Sequence, residues 1–229
     1  MDTVGVKTSR ELLAPPDWGG ARSFGMRDVI AALEADRPPP ADDGLTVIAG
    51  DGRPGVFGFS GHHVVAADVD PEWLWQQIPP GDKSMPFSPR FLIALGERIG
   101  RRPEGLEMMI MAPRLAEPPP LEPALVEVGP DYHPLVARAH HYRDEVRAWG
   151  TEGGVIAIGR GVGVRCEMTL AVDPEYRRHG LGFALTMMAR YLVPEDMLWA
   201  QVSPGNPTVV RGAMRAGFAA VGAEVLLMP

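Results

Sequence analysis

A strand that runs through a short turn into a glycine-rich helix start, at residues 169–185, constrains this chain more than any other feature. The letters TLAVDPEYRRHGLGFAL indicate an apolar strand, an Asp-Pro turn and a helix that opens on Arg-Arg-His-Gly-Leu-Gly. Gly180 and Gly182 put no side chain before the backbone, and the first N–H groups of a helix share the positive end of its dipole. The passage predicts a site for an anion such as pyrophosphate, with Arg177 and Arg178 adding positive charge.

Two common nucleotide sites do not fit this passage. No Gly-Lys-Ser/Thr follows the glycines, as a P-loop requires, and their spacing differs from the Gly-x-Gly-x-x-Gly of dinucleotide-binding folds. Nucleoside triphosphates and NAD are therefore disfavoured as ligands. A structural interpretation stays open, because Gly180 and Gly182 also allow a tight strand-to-helix turn and close packing of the helix.

The composition narrows the class of protein. Of 229 residues, 45% are hydrophobic and 22% charged, which suits one large or two small packed domains. The net charge of -7 argues against nucleic acid as a partner, because nothing would concentrate phosphate backbones at the surface. Cys166 is the single cysteine, so an intramolecular disulfide is excluded. The start lacks the order of a signal peptide, and no apolar run is long enough for a bilayer, so we expect a cytoplasmic protein without a membrane segment.

A proline-rich cluster predicts the boundary between two halves. The letters APRLAEPPPLEP at 112–123 separate two segments that each contain strands and helices. We therefore predict domains at 1–118 and 119–229. Both have short β-branched runs and amphipathic helical stretches, so the fold class is α/β with a mixed sheet.

The N-terminal half has no pattern typical of a catalytic site. It predicts a helix from near Ser23, strands in LTVIAG and PGVFGFSGHHVVAADV, and later helices capped by Asp70 and Ser88, each with proline in the first turn. His62 and His63 are adjacent on a strand and point to opposite faces, so they do not suit one metal ion, and no metal site is predicted.

The C-terminal half predicts a clear order of elements. A strand and a helix come first, followed by three strands, a helix, a strand, a short helix and a closing strand. The longer of the last two helices has an apolar face that we expect to pack on the sheet. That face consists of Leu181, Leu185, Met188 and Leu192. Asn206 is placed to cap the short helix and Gly217 to end it.

Two passages of the C-terminal half resemble a known family. LAVDPEYRRHGLGFAL resembles the acetyl-CoA signature of the GNAT superfamily of N-acetyltransferases, Arg/Gln-x-x-Gly-x-Gly/Ala. VSPGNPTVVRGAMRAGFAAVG resembles the family's second motif, in which a strand precedes an Asn that opens a helix closed by Gly-Phe. The matching residues are Arg177, Gly180, Gly182, Asn206, Gly217 and Phe218. The resemblance covers about residues 124–229 and implies the GNAT acyl-CoA N-acyltransferase fold there, preceded by a mixed α/β domain.

The resemblance implies acetyl-CoA as a cosubstrate. Its pantetheine arm would lie between two splayed parallel strands, held by the backbone of one, while its pyrophosphate would take N–H donors from the helix start. The implied cofactor-binding residues are Leu170, Ala171, Val172, Arg177, Arg178, His179, Gly180, Leu181, Gly182, Phe183, Ala184 and Asn206. Asn206 has an equally adequate structural role, because Asn followed by Pro207 is a preferred helix start.

The catalytic groups are less clear than the cofactor site. A lysine-like amine of pKa about 10.4 is only about 0.1% neutral at pH 7.4, so a base is useful, and Glu167 is the candidate. The family's basic Glu falls on Cys166, one residue earlier, and one step reverses the face of a strand unless a bulge intervenes. Cys166 itself is more typical of a small buried hydrophobe than of a nucleophile.

The general acid of the family has no counterpart at its usual position. The Tyr that the resemblance implies falls on Ala213, although a thiol of pKa about 8.5 leaves readily without an acid. Tyr142, His140 and His141, on the helix that would border the acceptor pocket, are candidate substitutes. Each is also typical of an ordinary surface residue.

The predicted function is transfer of an acetyl or similar acyl group from acetyl-CoA to a primary amine by direct attack. The alternative is a non-catalytic acyl-CoA-binding regulatory module. The acceptor is left open, as is the oligomeric state, a homodimer included. The strand HHVVAADVDP echoes TLAVDP, so the N-terminal half is compatible with a degenerate copy of the same fold without the glycine loop.

Overall fold

A computed structural model describes residues 25–50, 53–78, 82, 84–120 and 123–229. The chain divides into two compact units, and the second runs from Met108 to Val221. The first unit comprises the chain up to Glu107 together with Gly222–Pro229. The predicted helix start at Ser23 lies outside the described residues.

In its described residues, the first unit contains three helices, four strands of its own and the end of the last strand of the chain. These elements are α1 (Met26–Glu34), β1 (Leu45–Ile48), β2 (Gly55–Phe59), β3 (His62–Ala66), α2 (Pro71–Gln77), a 3-10 turn (Met85–Phe87), α3 (Pro89–Ile99) and β4 (Arg102–Pro103). β1 pairs with β3 in parallel, whereas β3 pairs with β2 in antiparallel register. The sheet of this unit is therefore mixed.

Local sequence explains where the helices of the first unit begin. The Asp70 side chain accepts the N–H of Glu72 at 2.8 Å at the start of α2, and Ser88 Oγ accepts the N–H of Phe91 at 3.2 Å at the start of α3. Both predicted caps are confirmed, each with proline in the first turn. α2 and α3 pack on a core that includes Leu74, Phe91, Leu95 and Val225.

The adjacent histidines of β3 have different surroundings. His62 is buried, with Nδ1 2.8 Å from Asp42 Oδ1 and Nε2 2.9 Å from Thr46 Oγ1. The ring of His63 instead contacts Phe87 edge-on, with 5.4 Å between centroids. Burial, followed by the proximity of His62, lowers the pKa of His63. Among the described residues, no group of three or more His, Cys, Asp or Glu side chains is placed to hold a metal.

After its first strand, the elements of the second unit follow the order that the sequence predicts for the C-terminal half. They are β5 (Glu107–Pro113), β6 (Val126–Val128), α4 (Pro134–Tyr142), β7 (Asp144–Thr151), β8 (Gly154–Arg160), β9 (Cys166–Val172), α5 (Leu181–Leu192), β10 (Met197–Val202), α6 (Pro207–Arg215) and β11 (Ala219–Met228). Single 3-10 turns lie at Pro130–Tyr132, Val162–Val164 and Pro174–Tyr176. The strands follow the order β5-β10-β9-β8-β7-β6.

The strand pairing within the second unit is also mixed. β9 and β10 are parallel, and their other neighbours in the unit are antiparallel. The mixed α/β class that the sequence predicts is confirmed. The apolar face of α5 packs on the sheet as expected: Leu185 and Met188 are buried, while Leu181 and Leu192 are partly buried against the same core cluster. Burying a side chain of this size contributes about 1.5 to 3 kcal/mol.

The compact units do not follow the predicted boundary after residue 118. β5 precedes the proline-rich cluster in sequence, yet it pairs with β10 from Met108 opposite Val202 to Pro113 opposite Met197. The end of β11 instead pairs with β2, with Val225 opposite Val56. Long-range strand pairing thus divides the chain near residues 107 and 221, and the domain limits at 118 stay a prediction.

Candidate functional site

The parallel strands β9 and β10 are joined at one end only. In the described part of the chain, Trp199 opposite Glu167 is the pair that links them. β8 pairs with β9 over its whole length, from Cys166 to Val172, and β5 does the same for β10. Beyond the link, the facing edges of the two strands therefore carry backbone donors and acceptors outside a ladder. This is the divergence that the family resemblance implies.

The loop after β9 leads into a helix start without a side-chain cap. Gly180 is the N-cap of α5, has φ of 86° and makes no side-chain cap bond. The first helical bond runs from the Ala184 N–H to the Gly180 carbonyl at 3.0 Å. The N–H groups of residues 181–183 precede this bond and point out of the helix start. The Ala184 N–H already donates within the helix, and the cofactor contact predicted for Ala184 stays a prediction.

The structure explains the glycine at position 180 but not the glycine at position 182. Gly180 needs its left-handed backbone conformation, which side chains disfavour. At Gly182 an added Cβ would lie 3.6 Å from Val172 Cγ2, an ordinary contact distance. Packing therefore does not require glycine at 182, and the structural interpretation explains only one of the two.

The cationic side chains of the loop lie at the surface. Arg177 Nε donates to the Val172 carbonyl at 3.0 Å, which ties the loop to the end of β9. Arg178 and His179 are exposed, and Arg178 has a left-handed φ of 67°. Phe183 is 38% exposed, whereas Ala184 is buried. The remaining predicted residues on β9, which are Leu170, Ala171 and Val172, are partly buried.

Asn206 serves as the cap of α6. Its side chain accepts the N–H of Val209 at 3.3 Å, and the residue is exposed. α6 ends at Arg215, and Gly217, the residue predicted to end it, follows the C-cap Ala216 with a left-handed φ of 84°. The structural role of Asn206 is confirmed, and its contact with pantetheine stays a prediction. Ala213, at the position of the family's general acid, is buried.

The carboxylate of Glu167 is buried in an ion-paired network. Arg165 Nε lies 2.6 Å from Oε1, Arg143 Nε lies 3.0 Å from Oε2, and the Val162 N–H donates to Oε1 at 3.3 Å. Burial by itself would raise the pKa of Glu167, but the charges of Arg165 and Arg143 outweigh it and hold the pKa below its usual value. A carboxylate that two guanidiniums hold ionised is a weak base. These surroundings do not favour the catalytic role that the sequence predicts for Glu167.

The network joins several elements around the start of β9. Arg165 is fully buried, its Nη1 lies 3.2 Å from Met109 Sδ, and its guanidinium lies 5.4 Å from the centroid of the Trp199 ring. Gly161 packs so closely that an added Cβ would lie 2.0 Å from Glu167 Oε1. The sequence interpretation missed the arginine partners. The signal was present, because Arg165 and Glu167 are two residues apart, and side chains at that spacing lie on the same side of an extended segment.

The candidate substitutes for the general acid lie in the last turn of α4. Tyr142 is in edge contact with His141 at 4.5 Å between centroids, and the Arg138 guanidinium lies 4.8 Å from the centroid of the Tyr142 ring. His140 and His141 are exposed, as in an ordinary surface turn. Arg143 directly follows this turn and reaches Glu167, so the end of α4 borders the start of β9. Cys166 is buried.

A cavity of about 370 Å³ lies beside the loop at the other end of β9. Its lining includes His133, Glu152 and Asp173. The hydroxyl of Tyr176 donates to Glu152 Oε1 at 2.7 Å. Both Glu152 and Asp173 are exposed, so their carboxylates are solvated.

No helix in the described part of the chain has the length and apolar character needed to cross a membrane.

No protein-family model and no curated protein matches the chain. Among solved structures it is similar to a GNAT-family protein of Novosphingobium aromaticivorans DSM 12444, at 18% identity and a TM-score of 0.38, over 56% of this chain and 67% of the other. It is also similar to a conserved protein of unknown function from Staphylococcus epidermidis ATCC 12228, at 11% identity and a TM-score of 0.41, over 61% and 66%. A GCN5-related N-acetyltransferase from Kribbella flavida shows 15% identity and a TM-score of 0.38, over 59% and 62%. The chain thus spans no more than about two thirds of the length of these structures, and such TM-scores do not establish a family.

Proposed function

We propose that this protein binds acetyl-CoA and transfers its acetyl group to a primary amine. The observation that carries the proposal is that two features adjoin each other. β9 and β10 are unpaired with each other beyond Glu167 and Trp199, and this end of β9 leads to the uncapped N-terminus of α5. An extended ligand with amides along its length and an anion at its end matches this arrangement. Acyl-CoA has that chemistry, with a pantetheine arm and a pyrophosphate.

The loop would supply most of the affinity for the anion. The N–H groups of residues 181–183 precede the first helical bond, and Arg178 adds an exposed charge. Each charge-assisted hydrogen bond contributes about 1.5 to 3 kcal/mol, so three of them supply a large part of the roughly 8 kcal/mol of a micromolar complex. Pantetheine amides would pair with the free edge of β9, at residues 168–172, as a short added strand.

The transfer step balances without a covalent enzyme intermediate. The amine nitrogen attacks the thioester carbonyl carbon, an N–C bond forms, and the C–S bond breaks as CoA leaves as its thiolate. The proton of the amine passes to solvent or to the leaving thiolate. With a leaving-group pKa of about 8.5, no protein acid is needed, which accords with Ala213 at the position of the family's tyrosine.

A non-catalytic acyl-CoA-binding module is the second candidate. It is favoured by the state of Glu167, which is held ionised by two arginines and is therefore a poor base. Turnover of acetyl-CoA against a panel of primary amines separates the two functions. Binding without turnover would assign the regulatory one.

The decisive experiment is a calorimetric titration with acetyl-CoA. We expect micromolar binding by the wild-type protein and none by Gly182→Glu, because the new carboxylate enters the anion site. Gly129→Glu is the matched control, since an added Cβ at Gly129 meets nothing within 4 Å and the charge change is the same. Absence of binding by the wild-type protein, or equal loss in both variants, would reject the proposed function.

A further inference from the structure

The guanidinium of Arg143 contains a buried N–H donor that lacks a hydrogen-bond acceptor among the described residues. Its side chain is 13% exposed, and its Nε donates to Glu167 Oε2 at 3.0 Å. Its Nη1 atom is buried, and no described residue accepts a hydrogen bond from it. A buried N–H without an acceptor is costly and uncommon in native proteins, so such a group calls for a partner from outside the chain.

The position of this group connects it with the proposed acyl-CoA site. Glu167 forms the link at which β9 and β10 begin to diverge, and its carboxylate holds the Arg143 guanidinium at that point. Because the guanidinium is planar and rigid, fixing Nε also fixes the direction of Nη1. The loop from β9 to α5, where the pyrophosphate would bind, lies at the opposite end of β9. Arg143 therefore lies at the end of the strand where the acyl group and the acceptor would meet.

We infer that Arg143 is a specificity residue that binds a carboxylate of the substrate, with Glu167 as the positioning residue that orients it. The inference rests on the proposed function. An arginine suits a carboxylate because its N–H groups match the two oxygens in geometry and charge. The carboxylate has two sources: the acceptor, as in an amino acid, or the acyl chain, as in a dicarboxylic acyl-CoA.

The test compares wild type with Arg143→Gln, Arg143→Lys and a matched control. Arg147→Gln is that control, because Arg147 lies on β7, is 62% exposed and pairs at the surface with Glu127, so the charge lost is the same. One arm titrates each protein with acetyl-CoA and with succinyl-CoA. The other measures binding and acylation of amino acids and of their amides, which differ in the carboxylate.

In one of the two arms, we expect the compound with the carboxylate to bind more tightly than its partner without it, by roughly tenfold to a hundredfold. This is the range of one charge-assisted hydrogen bond. That preference should vanish in Arg143→Gln, persist in part in Arg143→Lys and be unchanged in Arg147→Gln. A preference in the acyl arm assigns the carboxylate to the donor, and one in the amine arm assigns it to the acceptor.

Two results overturn the inference. One is equal affinity for both members in both arms, and the other is a preference that survives in Arg143→Gln. If Arg143→Gln does not fold, Arg143→Lys decides. Lysine retains the charge but loses the planar fork, so the preference should weaken, and an undiminished preference in Arg143→Lys overturns the inference. Failure of the proposed function is distinguishable, because it appears as wild-type protein that binds neither CoA ester.

Discussion

The two ends of β9 present opposite chemistry. At Val172 the strand leads into a loop with exposed cations and a helix start whose N–H groups are free of side chains. At Cys166 and Glu167 the strand is buried, and the charged side chains are tied to one another. The comparison teaches that exposed N–H groups and cations at the first end can meet a ligand charge at little cost. At the second end the charged side chains are paired with one another, and Arg143 Nη1 is a buried donor there from which no described residue accepts a hydrogen bond.

The largest effect is expected at the buried end. Glu167→Ala leaves the fully buried Arg165 without its carboxylate, and breaking such a pair typically costs about 3 to 5 kcal/mol in the free energy of unfolding. Urea denaturation measures it. Glu127→Ala, at the exposed pair with Arg147, is the control and should cost less than about 1 kcal/mol. Similar losses in both variants would show that burial does not distinguish the two pairs.

The next largest effect is expected on ligand binding, at the end of β9 that leads into the loop with exposed cations. Arg178→Glu reverses an exposed charge beside the uncapped helix start and should weaken acetyl-CoA binding by roughly tenfold to a hundredfold. Calorimetry measures the change. Stability should hardly alter, because the side chain is exposed. Arg211→Glu, at an exposed position on α6, provides the same charge change as a control. If its effect equals that of Arg178→Glu, the loop holds no specific anion site.

The pH dependence of stability tests the ionised state of Glu167. Its folded pKa lies below its unfolded value of about 4.5, so its contribution is complete above that pH and is lost as pH falls through the folded pKa. The stability difference between wild type and Glu167→Gln should therefore shrink as pH is lowered from 7 to 3. Urea denaturation across this range measures it, with Glu127→Gln as control. A difference that grows in acid would mean that Glu167 is protonated when folded.

The smallest effect is expected at Gly182, and Gly161 at the other end of β9 provides the contrast. Gly182→Ala adds a Cβ at 3.6 Å from Val172, so the free energy of unfolding should change by no more than about 1 kcal/mol, in the stabilising direction. Gly161→Ala adds one at 2.0 Å from the Glu167 carboxylate and should be strongly destabilising. Thermal unfolding compares them. Equal destabilisation would mean that packing requires both glycines.

Local sequence patterns were sufficient to predict most of the secondary structure. The caps at Asp70, Ser88 and Asn206 follow from hydrogen bonds within three residues, and the apolar face of α5 follows from helical spacing. The strand-turn-helix passage is equally local, because the end of β9 and the start of α5 are joined by a short loop. These features were predictable because both partners of each interaction are neighbours in the sequence.

The sequence by itself determined the mixed α/β class and the strand-turn-helix passage that contains Gly180 and Gly182. Only the tertiary structure decided the state of Glu167 and the pairing of β5 with β10, since the partners come from distant parts of the chain. Arg143 is 24 residues from Glu167, and its contact depends on how α4 packs on the sheet. Burial and long-range pairing are collective properties of the packed chain, and no spacing of residue types specifies them.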